Sequence, residues 1–215
     1  MVNMNREEFI NELKKINIEL TEEKLNKLEK FYNLLVEWNK KINLTRIIEK
    51  QEVYLKHFYD SLTITKVVDL TNTETLCDVG TGAGFPGIVL KIVYPNLKVT
   101  LIDSLLKRVN YLNEIIKELE LENIVVIHTR AEDHREKYDV VTARAVANIE
   151  KLLKYTMHLV KKDGLFVAMK GNIEEELSKN IQNKINRKYE IYKIEKFLLP
   201  KEDSMRSLVV IKNKK

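Results

Sequence analysis

The chain of 215 residues has one cysteine, three prolines and six glycines. It contains no apolar run near the ~20 residues that a membrane-spanning helix needs. The single thiol, Cys77, excludes an internal disulfide and suits a reducing, cytoplasmic setting. The opening Met-Val-Asn-Met-Asn-Arg-Glu-Glu lacks the apolar centre of a secretion signal, so no membrane association is expected. The four histidines stand apart, at 57, 128, 134 and 158, and no Cys-x-x-Cys pair exists, so no metal site is expected. Charge, by contrast, is plentiful. Charged residues make up 32% and hydrophobic ones 44%, the balance of a soluble globular protein long enough to bury a core. The net +5 is uneven: residues 1–60 are balanced, 61–150 carry −3 and 151–215 carry +8. A basic C-terminal third has two readings, a footprint for nucleic acid or a lysine-rich solvated face.

Glycine is scarce everywhere but in one place. Four of the six fall at 80, 82, 84 and 87, directly after the apolar run Thr75–Val79. Such a loop turns sharply, approaches a ligand without Cβ interference, and opens the next helix with its free N–H groups facing the same place. Gly82-Ala-Gly84-Phe-Pro-Gly87 matches the dinucleotide pattern G-x-G-x-x-G, with Asp103 closing the next apolar run. Asp78-Val-Gly80-Thr-Gly82-Ala-Gly84 matches instead the acidic-x-G-x-G-x-G loop of S-adenosylmethionine methyltransferases. There Asp78 would help anchor the amino-acid end, directly or through water, and Asp103 would accept hydrogen bonds from both ribose hydroxyls. Asp78, the early Gly80 and the lack of a second mononucleotide-binding half favour the methyl donor over NAD.

Periodicity organises the rest. Residues 5–43 read as helical, with Thr21 as an N-cap and Leu25, Leu28, Phe31, Leu35, Trp38 and Ile42 at helical spacing; 49–68 reads as a further helical piece. From 75 onward, strand candidates at 75–79, 98–102, 123–128, 138–143 and 164–169 alternate with helical runs, the clearest at 105–119. This predicts an α/β, doubly wound Rossmann-like sheet, mostly parallel, with ligands at the strand C-terminal ends. Residues 188–199 and 207–212 have no crossover helix between them, so an antiparallel C-terminal strand pair is expected. Residues 1–70 then form an N-terminal helical extension on a methyltransferase domain spanning 71–215.

The strand ends gather the glycine loop (Gly80, Gly82, Gly84), Asp103 with Ser104, the Thr129–Asp133 segment, Arg144 and Lys170. Glu132 follows the third strand, where it could receive an adenine amino group. Arg144 follows the fourth, beside the expected methyl. Three prolines leave no Asn/Asp-Pro-Pro-aromatic motif for amino methylation, and Cys77 lies inside a strand, which disfavours pyrimidine C5 chemistry. An arginine suits a guanine edge or a phosphate. Lys170, Arg206, Arg46 and His57 are expected to rim the cleft and face RNA, although His57 reads equally well as a packed histidine.

Trp38-Asn-Lys-Lys-Ile-Asn-Leu44, His57-Phe-Tyr-Asp60-Ser61, Asp78-Val-Gly-Thr-Gly-Ala-Gly-Phe-Pro-Gly87, Ala131-Glu132 and Ala143-Arg144-Ala145 together resemble the bacterial ribosomal RNA small subunit methyltransferase G family, or glucose-inhibited division protein B. The likeness covers nearly the whole chain in the family's order. It implies S-adenosylmethionine-dependent methylation of guanine N7 in the decoding-region loop of 16S ribosomal RNA; the expected partner is 16S ribosomal RNA or a small-subunit assembly intermediate, and a monomer is expected. It further implies that Gly80, Phe85, Asp103, Ala131, Glu132 and Arg144 bind the cofactor, with Ser104 and Leu105 in the same segment. Guanine N7 has a free lone pair, so no general base is needed, and a flat pH profile across roughly pH 6–9 is expected. A non-catalytic RNA- or ribosome-binding protein on the same scaffold is the alternative of a different class. A small-molecule methyltransferase is a third, disfavoured by the basic C-terminal region.

Overall fold

The computed structural model describes residues 4–144 and 147–214; Ala145, the last residue of the Ala143-Arg144-Ala145 motif, lies outside them. The predicted helical stretch 5–43 is two helices, α1 (Arg6–Lys14) and α2 (Glu22–Ile42). Asn5 and Glu8 cap α1 reciprocally, while Thr21 caps α2 by accepting from the Lys24 N–H at 3.3 Å. Asn17, at φ 59°, takes the left-handed turn between them, a conformation that asparagine tolerates. The third piece is continuous but irregular: α3 (Lys50–Val53), a wide π turn (Tyr54–Tyr59), α4 (Asp60–Leu62) and a tight 3₁₀ turn (Thr63–Lys66).

Seven strands follow: β1 (Thr75–Val79), β2 (Lys98–Asp103), β3 (Ile124–His128), β4 (Tyr138–Arg144), β5 (Val160–Lys170), β6 (Tyr189–Leu198) and β7 (Met205–Asn213). Their order is β3-β2-β1-β4-β5-β7-β6, parallel except for β7, which runs against both of its neighbours. Helices α5 (Gly87–Val93) and α6 (Leu106–Glu118) follow β1 and β2; α7 (Ile149–Thr156) follows β4. Helix α8 (Lys179–Lys188), between β5 and β6, has too few apolar residues for a periodic signal and escapes sequence analysis. The order reverses between β1 and β4, which opens a crevice at their C-terminal ends.

Side chains of successive strand residues go to opposite faces, and the two cores divide accordingly. Leu76 and Val140 join the cluster made by α1, α2, α5 and α6; Cys77, Val141 and Ala143 join the one made with α7 and α8. The N-terminal helices therefore share a core with one face of the sheet. Phe31 of α2 is the hinge pin of that contact: fully buried, it stacks on Phe58 (centroids 5.8 Å apart) and tilts against Phe85 of the glycine loop at 5.3 Å. Truncating it to alanine would cost about 3–5 kcal/mol. No described helix is long and apolar enough to cross a membrane.

Candidate active site

The glycine loop is shaped by backbone geometry that only glycine adopts freely. Gly80, Gly82 and Gly84 sit at φ 67°, 61° and 93°. Gly87 is required for a different reason: a Cβ there would stand 2.2 Å from the Leu101 Cδ2 and 2.9 Å from the Asp78 Oδ2. That close approach lets Asp78 Oδ2 accept from the Gly87 N–H at 2.8 Å and the Thr81 hydroxyl at 2.6 Å. Asp78 is fully buried, and its Oδ1 has no partner among the described residues. Burial pushes its carboxyl up to about 6, against the pull of the Thr81 and Gly87 hydrogen bonds and of the Arg144 charge.

Asp103, at the end of β2, is also buried, yet both its oxygens are engaged by backbone. Oδ2 accepts from the Gly82 N–H at 3.0 Å and Oδ1 from the Leu105 N–H at 2.9 Å; Arg108 lies 3.6 Å from Oδ2. The carboxylate thus ties the β1 loop to the start of α6, and each oxygen keeps a further acceptor site. A cavity of about 240 Å³ opens beside it, lined by Gly80, Asp103, Ser104, Ala131, Glu132 and, unanticipated, Tyr155 of α7 among others. Gly82 and Gly84 serve as loop backbone, and Leu105 contributes its N–H while 43% of it stays exposed.

Phe85 and Arg144 lie elsewhere. Phe85 is buried beneath His57, rings stacked at 4.5 Å, with the Arg144 guanidinium 5.2 Å from its centroid. Neither lines the first cavity. Arg144, at the end of β4, faces a second one of about 300 Å³, shared with Lys56, His57, Asp60, Lys170 and Arg206. Its Nη1 donates to Asp60 Oδ2 at 3.1 Å and to the Lys56 carbonyl at 3.2 Å; its Nη2 reaches His57 Nδ1 at 3.3 Å. Nδ1 also lies 3.2 Å from the Lys56 carbonyl, so it accepts from the guanidinium in one tautomer and donates to the carbonyl in the other, while Nε2 sits 3.0 Å from Thr45 Oγ1. Burial, then the Arg144 charge, pushes His57 down to about 3, so it is neutral at working pH.

Lys170 and Arg206, expected to rim the cleft, both line the second cavity, each paired with a carboxylate. Lys170 Nζ is tucked against the Ala147 carbonyl and Glu176 (2.8 Å), its side chain 10% exposed. Arg206 Nε donates to Asp60 Oδ1 at 3.0 Å. Arg46 is exposed and lines neither cavity. Asp60 is the functional residue that sequence reasoning passed over. Its signal was its place three residues after His57, one helical turn on, in a segment otherwise apolar enough to be buried.

A Rossmann-like sheet with a reversed penultimate strand and a glycine loop at its switch point is a methyltransferase fold. An S-adenosylmethionine-dependent methyltransferase from Aquifex aeolicus matches it at a TM-score of 0.59, covering 82% of this chain and 97% of that one, at 19% identity. The narrower assignment comes from sequence. The model of the family described as rRNA small subunit methyltransferase G matches residues 24–206, and the chain belongs to that family. It is 49% identical to the ribosomal RNA small subunit methyltransferase G of Bacillus licheniformis, over 97% of this chain and 90% of that protein. The protein of that name from Desulforamulus reducens is 50% identical, over 94% and 87%.

Proposed function

We infer that the protein transfers a methyl group from S-adenosylmethionine to N7 of a guanosine in the decoding-region loop of 16S ribosomal RNA. The observation that carries this reading is an acceptor cavity with no available base. Its guanidiniums stay charged, His57 is held neutral with both ring nitrogens engaged, and Asp60 is bridged between two arginines. Such a site suits a nucleophile that arrives with a free lone pair and loses no proton. Guanine N7 is one, and an unpaired loop presents it far more readily than a deep A-form groove.

The residues of the first cavity fit the cofactor. Asp103 has unused acceptor sites for ribose hydroxyls, Gly80 brings bare backbone to the wall, and Glu132 with Ala131 closes the far end. When bound, the cofactor supplies an activated methyl on a sulfonium. In this reading Asp78, Gly80, Gly82 and Gly84 set the loop against which the amino-acid end lies, and Ser104 and Leu105 hold the ribose segment. Phe85 supports Arg144 from below, and Arg144 orients the acceptor across the β1–β4 crevice. Residues 1–70 act as an extension that shares the domain's core and supplies one wall of the acceptor cavity. His57, Lys170 and Arg206 form that cavity's RNA-facing surface, with Arg46 outside it. The partner is 16S ribosomal RNA, free or in a small-subunit assembly intermediate, and the enzyme works as a cytoplasmic monomer.

Tritiated methyl incorporation tests the reading, followed by aniline-induced scission at N7-methylguanosine. Label in 16S ribosomal RNA with scission at one decoding-loop guanosine is the expected result. Tight RNA binding without incorporation under saturating cofactor would support a non-catalytic scaffold instead.

A further inference from the structure

One carboxylate, Asp60, holds two arginines that come from distant parts of the chain. Its Oδ2 takes Arg144 Nη1 at 3.1 Å and its Oδ1 takes Arg206 Nε at 3.0 Å. Arg144 ends β4, while Arg206 begins β7, whose reversed course brings Ser207 beside Lys170 at the end of β5. The pair is therefore assembled by tertiary structure. Asp60 itself is 6% exposed, so its side chain cannot swing away cheaply.

The charges facing this cavity are lopsided. Lys56, Arg144, Lys170 and Arg206 line it, with Asp60 as the only lining carboxylate among the described residues. Lys56 pairs with Glu52 and Glu202 and Lys170 with Glu176, each carboxylate at least as exposed as its lysine and none of them part of the wall. His57 adds no charge near neutrality. The lysines are thus each matched by an acid, whereas Arg144 and Arg206 share the single carboxylate of Asp60, which leaves that group with a net positive charge at the wall. Arg206 spends Nε on Asp60 and Nη1 on Ser204 and the Met205 carbonyl, while no hydrogen bond of its Nη2 is found among the described residues. A prearranged pair of guanidiniums at the floor of a positive cavity is the arrangement that recognises a phosphodiester.

We propose that this cavity seats a backbone phosphate of the acceptor RNA next to the target guanosine, and that Asp60 is the positioning residue that holds Arg144 and Arg206 together to receive it. The proposal rests on the RNA-methylating reading above and names which part of the RNA this half of the site grips. A phosphate gains from the positive charge at this wall throughout the reaction.

Binding of a decoding-loop hairpin, followed by fluorescence anisotropy across a salt series, tests the seat without requiring turnover. Arg206→Ala should weaken hairpin binding at least tenfold and lower the slope of log Kd against log salt by about 0.7–0.9, the value of one phosphate contact. Its cofactor affinity should stay within twofold. Asp60→Asn keeps both guanidinium charges but releases their alignment, so it should lower kcat at least tenfold and weaken hairpin binding severalfold while cofactor affinity stays within twofold. A merely structural Asp60 would instead lose hairpin affinity, cofactor affinity and Tm together, and that result overturns its positioning role. Should Asp60→Asn not fold, single methylphosphonate linkages around the target guanosine give the same answer with the unmodified protein. One neutral linkage should raise the wild-type Kd at least tenfold and cost Arg206→Ala less than twofold. An unchanged salt slope in Arg206→Ala, or no such linkage, overturns the phosphate seat. Absence of methyl transfer by wild-type protein to any form of 16S ribosomal RNA would instead sink the underlying reading.

Discussion

The two cavities at the strand ends differ in sign. The one on the β1–β2–β3 side is walled by Asp103, Glu132, glycine backbone and a single cation, Arg130, with the buried Asp78 behind the loop. The one on the β4–β5–β7 side presents four cations and one acid. Between them runs the β1–β4 boundary, where the sheet reverses its order. On the proposed reading a sulfonium donor, which is cationic, and an RNA acceptor, which is anionic, would each meet the complementary charge on its own side. Phe85 stands at this divide and lines neither cavity. It lies under His57 and Arg144, so it joins the loop of one side to the cationic group of the other.

The largest effect should come from the residue at the divide. Arg144→Ala removes the guanidinium and leaves Asp60 buried with one partner fewer, and should cut kcat by about 100-fold or more, near 3 kcal/mol. Arg144→Lys keeps the charge but not the planar fork that reaches Asp60, Lys56 and His57 at once, so it should fail nearly as badly. Single-turnover rates at saturating cofactor and RNA would measure this, and a lysine variant with full activity would remove Arg144 from the mechanism. Next in size is Asp103→Ala. It should weaken cofactor binding by roughly 1–3 kcal/mol, the range for hydrogen bonds to a charged acceptor. Calorimetry with S-adenosylmethionine, alongside hairpin binding, would break the two-sided picture if RNA affinity fell in step.

Asp78 supplies a smaller, pH-dependent effect. Its folded-state carboxyl, raised to about 6 from an ordinary 3.8, favours the protonated form in the fold. The stability it contributes is therefore complete below about pH 4 and is lost as pH rises through 6, up to about 3 kcal/mol for a shift of two units. Asp78→Asn still offers a carbonyl to the Gly87 N–H and carries no charge to bury. The Tm difference between variant and wild type, both without cofactor, should move in the variant's favour between pH 4 and 7. A difference independent of pH would mean that folding does not raise the Asp78 carboxyl above its ordinary value.

How much of this was legible beforehand varies with the range of the interaction. The glycine loop and the five alternating strands were readable because φ requirements and side-chain period are local. The start of α2 was readable from Thr21 as an N-cap, whereas the left-handed turn at Asn17 before it was not. Helix α8 was missed because few of its residues are apolar, and what holds it is packing of Ile185 into a core built mostly by α7 and β5. The donor-side residues follow from strand ends, which sequence locates well. The acceptor side depends on where β7 inserts and on how the π turn rotates His57 and Asp60 inward, and neither is encoded by local pattern. Lys170 and Arg206 could be named as cations, but their carboxylate partners, up to 146 positions away, could not.

The smallest expected effect is an absence of one, and it bears on the acceptor side most directly. If the nucleophile needs no base, kcat at saturating cofactor and RNA should not change between about pH 7 and 9. His57 is the only imidazole at the cavity among the described residues, and at about 3 it has lost its proton well below that window. Guanidiniums keep theirs throughout. The sequence-based window of roughly pH 6–9 narrows at its acid end because Asp78, at about 6, begins to protonate there and can alter the loop against which the cofactor lies. A limb below pH 6.5 that disappears in Asp78→Asn would therefore be loop chemistry. A rise through neutrality that survives in that variant would demand a proton acceptor at the acceptor cavity, and the base-free mechanism would then be wrong.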